Sequence, residues 1–257
     1  MDVFKAYLKK AVRKLKGARR SYQDPARNED CNSFEVDNWE ISDFVMRKLV
    51  PKVGITPFPI TELFLMTATV CRMKPTHIFE WGTNIGKSAR AFYEISRAFG
   101  IDCEIHSIDL PDDVDHQEHP ERKRGMLVRG IKQVTLHQGD GLQTSLHLYS
   151  EALPRYKQVR PLFFIDGDHS YESVKRELTE ILNNVPEAAV LLHDTFCQSS
   201  ESGYNIGPYL AINEVLETMP SQYSSLSMAT GLPGMTLLYQ PLHHQAHVES
   251  KQMLTHI

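Results

Sequence analysis

The sequence is poor in cysteine, and its cysteines form no pattern that would bind a metal or build a disulfide framework. They are Cys31, Cys71, Cys103 and Cys197, widely spaced in a chain of 257 residues and without a C-x-x-C pair. This spacing excludes a small disulfide-stapled scaffold and a cysteine-rich zinc module. We therefore expect the protein in a reducing compartment, the cytoplasm.

Long apolar runs and a secretory leader are also missing. Apolar residues make up 41% of the chain and charged residues 23%, which is ordinary for a globular protein. No uninterrupted apolar run is long enough to span a membrane, and the N-terminus lacks the apolar core and cleavage site of a signal peptide. We predict no transmembrane segment and no export.

Charge is distributed unevenly along the chain. The formal net charge is −4, yet residues 1–20 hold eight Lys or Arg against a single Asp. Apolar residues recur there at roughly helical spacing, so this arm can form a short amphipathic helix that contacts an anionic surface or a second subunit. A solvated arm is the more common interpretation. Because basic and aromatic residues are not interleaved elsewhere, we predict no nucleic-acid partner, and we leave open a homo-oligomer formed through the arm.

Three regions follow from composition and pattern. Residues 1–59 are predicted as a basic N-terminal arm and cap, because 21–59 are polar and carry prolines that break any long helix. Residues 60–240 are predicted as one α/β domain, and residues 241–257 as a C-terminal tail. The tail holds four histidines, which we interpret as part of a frayed end rather than a metal site.

From residue 60 onward, apolar strands and helices alternate. The predicted strands are His77–Glu80, Glu104–Asp109, Gln133–His137, Leu162–Asp166, Ala189–Asp194, Ser225–Met228 and Met235–Tyr239. The predicted helices are Ile60–Val70, Lys87–Phe99, Tyr171–Asn183 and Pro208–Thr218. The pattern indicates an α/β fold that is Rossmann-like and doubly wound, with a mostly parallel seven-stranded sheet and a C-terminal antiparallel hairpin.

A glycine turn follows the first strand and opens the next helix. Gly82 and Gly86 permit positive φ and close approach of the backbone to a ligand, and Ser88 lies in the first helical turn. A dinucleotide fingerprint would carry a glycine where this chain has Glu80. A carboxylate there repels pyrophosphate but attracts a cation, and S-adenosylmethionine carries both an ammonium and a sulfonium. The turn resembles the first motif of class I methyltransferases, and an NAD-binding oxidoreductase is the alternative from another class.

Nearly every predicted parallel strand ends in an acid. In an open parallel sheet, ligands bind beyond these carboxyl ends, so the acids are expected at one site. Asp109 can accept both hydroxyls of a ribose, and Asp140 can meet the exocyclic amine of an adenine. The alternatives are a cap on the next turn for Asp109 and a ligand-free Asp-Gly turn for Asp140.

Two further segments carry a more specific resemblance. Ile165-Asp-Gly-Asp-His-Ser-Tyr171 and His193-Asp-Thr195 resemble the cephalosporin hydroxylase-like and macrocin O-methyltransferase-like methyltransferases over roughly residues 60–240. The resemblance implies S-adenosylmethionine as cofactor and O-methylation of a small polar acceptor, such as a sugar or natural product. Nitrogen methylation and a non-catalytic cofactor-binding protein are alternatives. The implied cofactor-binding residues are Glu80, Gly82, Thr83, Asn84, Gly86, Ser88, Asp109, Asp140 and Asp166.

The same resemblance implies a metal. In metal-dependent relatives, acids at the ends of strands four and five hold magnesium, which gives Asp166 and Asp194 here, with His193 beside them. Imidazole is a poorer magnesium ligand than a carboxylate. Another divalent cation, or no metal, therefore stays open.

A hydroxyl acceptor also needs a base. His169 lies where catechol-type relatives place a basic side chain, and Asp168 is the competing candidate. The structural alternatives are that His169 caps the next helix and Asp168 bonds the turn. Beyond this site, Tyr204 to Ile206 lie between two glycines, where we expect a lid or acceptor-binding loop.

Overall fold

The computed structural model describes residues 22–27, 33–116, 120–219 and 223–241. The basic stretch 1–20 and the histidines of the tail lie outside these residues, so the expectations about them stay predictions. The strands are β1 (His77–Trp81), β2 (Glu104–Asp109), β3 (Val134–Gln138), β4 (Pro161–Ile165), β5 (Ala189–His193), β6 (Ser224–Met228) and β7 (Met235–Tyr239). The α-helices are α1 (Asn38–Phe44), α2 (Val50–Val53), α3 (Ile60–Met73), α4 (Lys87–Phe99), α5 (Gly141–Ala152), α6 (Tyr171–Asn184) and α7 (Gly207–Thr218).

The strands form one seven-stranded sheet in the order β3-β2-β1-β4-β5-β7-β6. β1 to β5 pair in parallel, and β7 runs antiparallel to both β5 and β6. The predicted fold class is confirmed, and each predicted strand lies within one residue of the observed bounds. Because the strand order reverses between β1 and β4, a crevice is expected at their carboxyl ends.

The central strands are buried on both faces, as continuous apolar runs require in a parallel sheet. Along β4, Leu162 and Phe164 belong to the core that packs under α3 and α4. Phe163 and Ile165 belong to the core on the other face, under α6 and α7. The sheet therefore holds its strand ends rigidly between two apolar layers.

The expectation that prolines exclude a long helix before residue 60 is wrong at Pro51. Helices α1 and α2 join through a π-helical turn, Val45–Leu49, into one continuous segment. At that turn the Val50 N–H donates to the Val45 carbonyl, five residues back. The wider turn lets the chain carry a proline that would clash with the carbonyl of an ordinary α-helical turn.

Helix α5 was not predicted, because Asp140-Gly141 looks like the start of a loop. In the structure, Asp140 is the N-cap of this helix, and its Oδ1 accepts the Gln143 N–H at 2.8 Å. The α3 helix also runs three residues beyond its predicted end. In the part of the chain that the structure describes, no helix has the length and apolar character needed to cross a membrane.

Candidate active site

A cleft of about 1020 Å³ opens beyond the carboxyl ends of the parallel strands. It brings together most of the residues predicted from the sequence. Those that line it are Gly82, Thr83, Asn84, Ser88, Asp109, Asp140, Asp166, Asp168, His169, His193 and Asp194. Glu80 and Gly86 are not among its lining residues.

The glycine turn brings the end of β1 against the end of β4. Gly82 has a φ of 93°, and a Cβ on it would lie 2.0 Å from the carbonyl oxygen of Asp166. No other residue fits there without moving one of the two strands. The requirement for glycine at position 82 therefore follows from the contact between the turn and the Asp166 segment, as well as from the positive φ.

Glu80 lies beneath this turn and is 1% exposed. Its Oε1 accepts the Ser107 hydroxyl at 2.5 Å, whereas its Oε2 is buried without a hydrogen-bond partner. Burial raises the pKa of Glu80 to about 7. The Ser107 hydroxyl also lies 2.6 Å from Thr83 Oγ1, so Glu80 supports the turn from below.

Asp109 and Asp140 reach the cleft while bonding the backbone. Asp109 accepts the N–H groups of Asn84 at 2.9 Å and Leu110 at 2.8 Å, and Asp140 caps α5. These are the contacts expected if Asp109 and Asp140 have structural roles as caps or turn residues. Since each carboxylate oxygen has two acceptor positions, these contacts leave room for a ligand.

Two acids and two histidines meet at the ends of β4 and β5. His193 Nδ1 lies 2.9 Å from Asp166 Oδ1 and 3.7 Å from Asp194 Oδ1. His169 Nε2 lies 3.2 Å from Asp194 Oδ2 and 3.9 Å from Asp166 Oδ1. Asp166, His193 and Asp194 also form a group whose ligand atoms could hold a metal ion.

Glu62 completes this cluster and was missed in the sequence. It is the one carboxylate in the largely apolar helix α3, and it is 2% exposed. Its Oε2 lies 3.0 Å from His193 Nε2, and its Oε1 accepts the Gly234 N–H at 2.9 Å. A lone carboxylate in an apolar helix was the available signal, because such a group must find a partner when buried.

His193 is thereby held between carboxylates on both sides of its ring. Burial opposes its protonation, but the charge of Asp166 and the hydrogen bonds to Asp166 and Glu62 outweigh burial and raise the pKa of His193 to about 10. The ring is therefore an imidazolium at neutral pH. It balances part of the negative charge at this end of the sheet.

The side chains of Asp168 and His169 make different contacts. Asp168 accepts both the N–H and the hydroxyl of Ser170, at 2.9 and 3.1 Å. Ser170 is the N-cap of α6, so His169 is not the cap. The His169 side chain is 29% exposed, and its Nε2 can reach a bound molecule in the cleft.

The loop after β5 contacts the same cluster. The Tyr204 hydroxyl donates to Asp194 Oδ1, and the Asn205 side chain donates to the His169 carbonyl. Burial and the neighbouring Asp194 raise the pKa of Tyr204. Asp194 itself has a φ of 59°, uncommon outside glycine. The sequence indicated a loop here but not the residues it contacts.

Trp81 and Glu177 also line the cleft and were missed in the sequence. Trp81 Nε1 donates to Glu177 Oε2 at 3.3 Å, and burial raises the pKa of Glu177 to about 7. A Cβ on Gly141 or Gly167 would lie 2.4 or 2.8 Å from the Trp81 side chain. The indole is therefore clamped between two glycines, which is a contact between distant segments that no local pattern predicts.

Comparisons with known proteins agree with this architecture. Residues 79–195 match a family model described as a methyltransferase domain. No curated protein matches the sequence significantly. Among solved structures, a methyltransferase of Podospora anserina with bound S-adenosylhomocysteine superposes with a TM-score of 0.50 at 17% identity, covering 79% of this chain and 87% of that one.

Two other solved structures are similar at lower TM-scores. An O-methyltransferase of Bacillus cereus in complex with S-adenosylhomocysteine has 15% identity, covers 79% of this chain and 90% of its own, and gives a TM-score of 0.49. The O-methyltransferase TomG of Streptomyces achromogenes, involved in tomaymycin synthesis, has 16% identity and a TM-score of 0.46. The match covers 80% of this chain and 90% of TomG. At such identities, the fold likeness rests on the Podospora structure.

Proposed function

We propose that this chain is an S-adenosylmethionine-dependent methyltransferase of class I that methylates a hydroxyl oxygen of a small polar acceptor. Residues 79–195 match a family model described as a methyltransferase domain, and the fold is like that of a methyltransferase with bound S-adenosylhomocysteine. One observation carries the proposal. His169 Nε2 lies in the cleft 3.2 Å from Asp194 Oδ2, so a basic nitrogen and the carboxylate that would stabilise its protonated form stand where an acceptor can reach both. A hydroxyl needs such a base, because it becomes a good nucleophile as its proton leaves.

The half of the cleft next to β1 and β2 would hold the methyl donor. The backbone of the turn that contains Gly82, Thr83 and Asn84 borders it. We assign the ribose to Asp109 and the adenine amine to Asp140. Glu80, Gly86 and Ser88 would shape the turn and start of α4, and the end of β4 at Asp166 would close the pocket. The cofactor supplies an electrophilic sulfonium methyl.

A divalent cation would fit the other half of the cleft once the Nδ1 proton of His193 is lost, because an imidazolium has no lone pair for a metal. Asp166, His193 and Asp194 present ligand atoms within 4.8 Å of one another. Glu62 lies 3.0 Å behind the second ring nitrogen of His193, which is the usual support for a metal-binding histidine. A nitrogen donor suits iron or zinc better than magnesium. Bound there, a cation would lower the proton affinity of an acceptor hydroxyl.

His169 is proposed as the general base. Neutral imidazole accepts the acceptor proton at Nε2, and Asp194 then stabilises the imidazolium. Asp168 is the weaker candidate, because its carboxylate accepts both the N–H and the hydroxyl of Ser170 and is thereby held against the start of α6. Its role would be to fix the turn that presents His169.

The test is methyl transfer from isotope-labelled S-adenosylmethionine to a panel of sugars, polyphenols and amines, with products identified by mass spectrometry. We expect methyl ethers. His169→Asn should lower kcat about a hundredfold or more, because general bases typically contribute that much. Asp168→Asn, the matched control in the same turn, should have a milder effect.

Binding of S-adenosylhomocysteine, measured by calorimetry, should be unchanged in both variants. A fully active His169→Asn variant would move the role of base to another group. Methylation of amines alone, without hydroxyl acceptors, would overturn the O-methylation proposal while leaving the methyltransferase assignment intact.

A further inference from the structure

The opposite edge of the sheet, where the parallel strands begin, carries a second cluster of ligand-type side chains. His77 is the first residue of β1, and Glu104 is the first residue of β2 and pairs with it in register. His106 lies two residues further along β2, on the same face. We propose that His77, Glu104 and His106 form a binding site for a divalent transition-metal ion such as zinc.

The geometry brings one ligand atom from each side chain into a single group. These three atoms lie within 4.8 Å of one another, and His106 Nε2 is 3.8 Å from Glu104 Oε2. Two imidazoles and one carboxylate are a donor set used for zinc and non-haem iron with further positions open to water. Magnesium and calcium, which prefer oxygen ligands, are not expected here.

Each proposed ligand is also oriented by a partner at its other polar atom. His77 Nδ1 lies 3.0 Å from Thr76 Oγ1, and His106 Nδ1 lies 3.1 Å from His137 Nε2. The Tyr156 hydroxyl donates to Glu104 Oε1. Metal-binding histidines and carboxylates usually have such supporting hydrogen bonds, which fix the ring tautomer and aim the free atom at the metal.

The tautomers required for binding agree with these contacts. Thr76 Oγ1 already accepts the Arg160 N–H at 2.9 Å, and it has a second lone pair for an N–H of His77. The Nδ1–H of His106 can donate to the lone pair of His137 Nε2 in the same way. Both Nε2 atoms are then unprotonated, the form that binds a metal.

The proposed site is open to solvent on the side of Glu104. Glu104 is exposed and, with Tyr156, lines a surface cavity of about 490 Å³, whereas His77 is buried. An ion can therefore reach the carboxylate from solvent.

This site is separate from the cleft. His77 and Trp81 lie at opposite ends of β1, which places the two sites roughly 13 Å apart along the strand. A bound ion would link the starts of β1 and β2 to each other. We expect it to raise the melting temperature without entering the methyl-transfer chemistry.

The experiment titrates zinc into the full chain after chelator treatment and follows binding by calorimetry, with the histidine ring nitrogens observed by NMR. Four variants are compared with the wild type: His106→Asn and Glu104→Gln at the proposed site, Asp194→Asn at the cleft, and His147→Asn as an exposed control. We expect His106→Asn to lose one equivalent of bound zinc. Glu104→Gln, a conservative change at an exposed position, should weaken that equivalent at least tenfold.

The outcomes separate the two sites. Asp194→Asn and His147→Asn should keep the zinc-dependent shifts of the His77 and His106 rings, and Glu104→Gln should leave methyl transfer unchanged. Zinc binding that is the same in wild type, His106→Asn and Glu104→Gln would overturn the proposal, whatever the enzyme's activity. Loss of methyl transfer in His169→Asn alone would bear on the proposed reaction and not on this site.

Discussion

The two edges of the sheet hold histidines that differ in charge. At the carboxyl ends of the strands, Glu62 and Asp166 flank His193 and raise its pKa to about 10. At the amino ends, burial and neighbouring imidazoles lower the pKa of His106 to about 4. Both rings are shielded from solvent, so burial alone does not decide their charge. The number of carboxylates within reach does.

This difference has a chemical consequence. The cleft concentrates fixed charges, both negative and positive, as a site for a sulfonium cofactor and a reacting proton requires. The opposite edge presents neutral imidazoles with lone pairs, which suit a metal ion. Under the two proposals, the same residue type would serve two chemistries in one sheet.

The largest expected effect comes from removing the carboxylate behind His193. Glu62→Ala would leave a buried imidazolium short of a partner and the Gly234 N–H without its acceptor. Breaking a buried ion pair in this way typically costs about 3 to 5 kcal/mol. Urea unfolding near pH 7 would measure the loss.

The matched variant Glu62→Gln separates charge from packing. The amide can still accept from Gly234 and sit beside the ring, so its loss of stability should be smaller than that of Glu62→Ala. The pKa of His193, followed by NMR, should fall in Glu62→Gln. An unchanged pKa would show that Asp166 alone sets the charge of His193.

The sequence predicted the sheet more fully than the site. Strands β1, β4 and β5 could be located because each is an apolar run followed by or ending in an acid or a His-Asp pair, and the ends of the parallel strands identified acids that line the cleft. Glu62 could not be paired with His193, because 131 positions separate them. Trp81 and Glu177, 96 positions apart, were missed for the same reason. Pairing across the fold depends on packing, which local patterns do not contain.

A second prediction uses pH to contrast the two edges. The pKa of His106 falls from 6.5 unfolded to about 4 folded, so the unfolded chain binds more protons between these values. The contribution of neutral His106 to the free energy of unfolding is present above pH 6.5 and is lost as the pH falls towards 4. At about 1.4 kcal/mol per pH unit, the loss is about 3 kcal/mol.

The opposite sign holds for His193. Its folded pKa of about 10 exceeds the unfolded value, so its contribution is present below pH 6.5 and is lost as the pH rises towards 10. Unfolding of the metal-free protein at several pH values would test both. His106→Asn should flatten the acid side of the stability profile and leave the alkaline side unchanged. A profile that keeps its acid slope in this variant would contradict the low pKa of His106.

The smallest effect on stability is expected at a cleft carboxylate that is not a partner of a histidine. Asp140 caps α5 through the Gln143 N–H, so Asp140→Ala should lower the free energy of unfolding by about 1 kcal/mol. Asp140→Asn retains an N-cap acceptor and should change stability by less than about 0.5 kcal/mol. If Asp140 also meets the adenine amine, Asp140→Asn should still weaken binding of S-adenosylhomocysteine, measured by calorimetry. Full affinity in Asp140→Asn, with the stability loss confined to Asp140→Ala, would make Asp140 a helix cap without a role in binding.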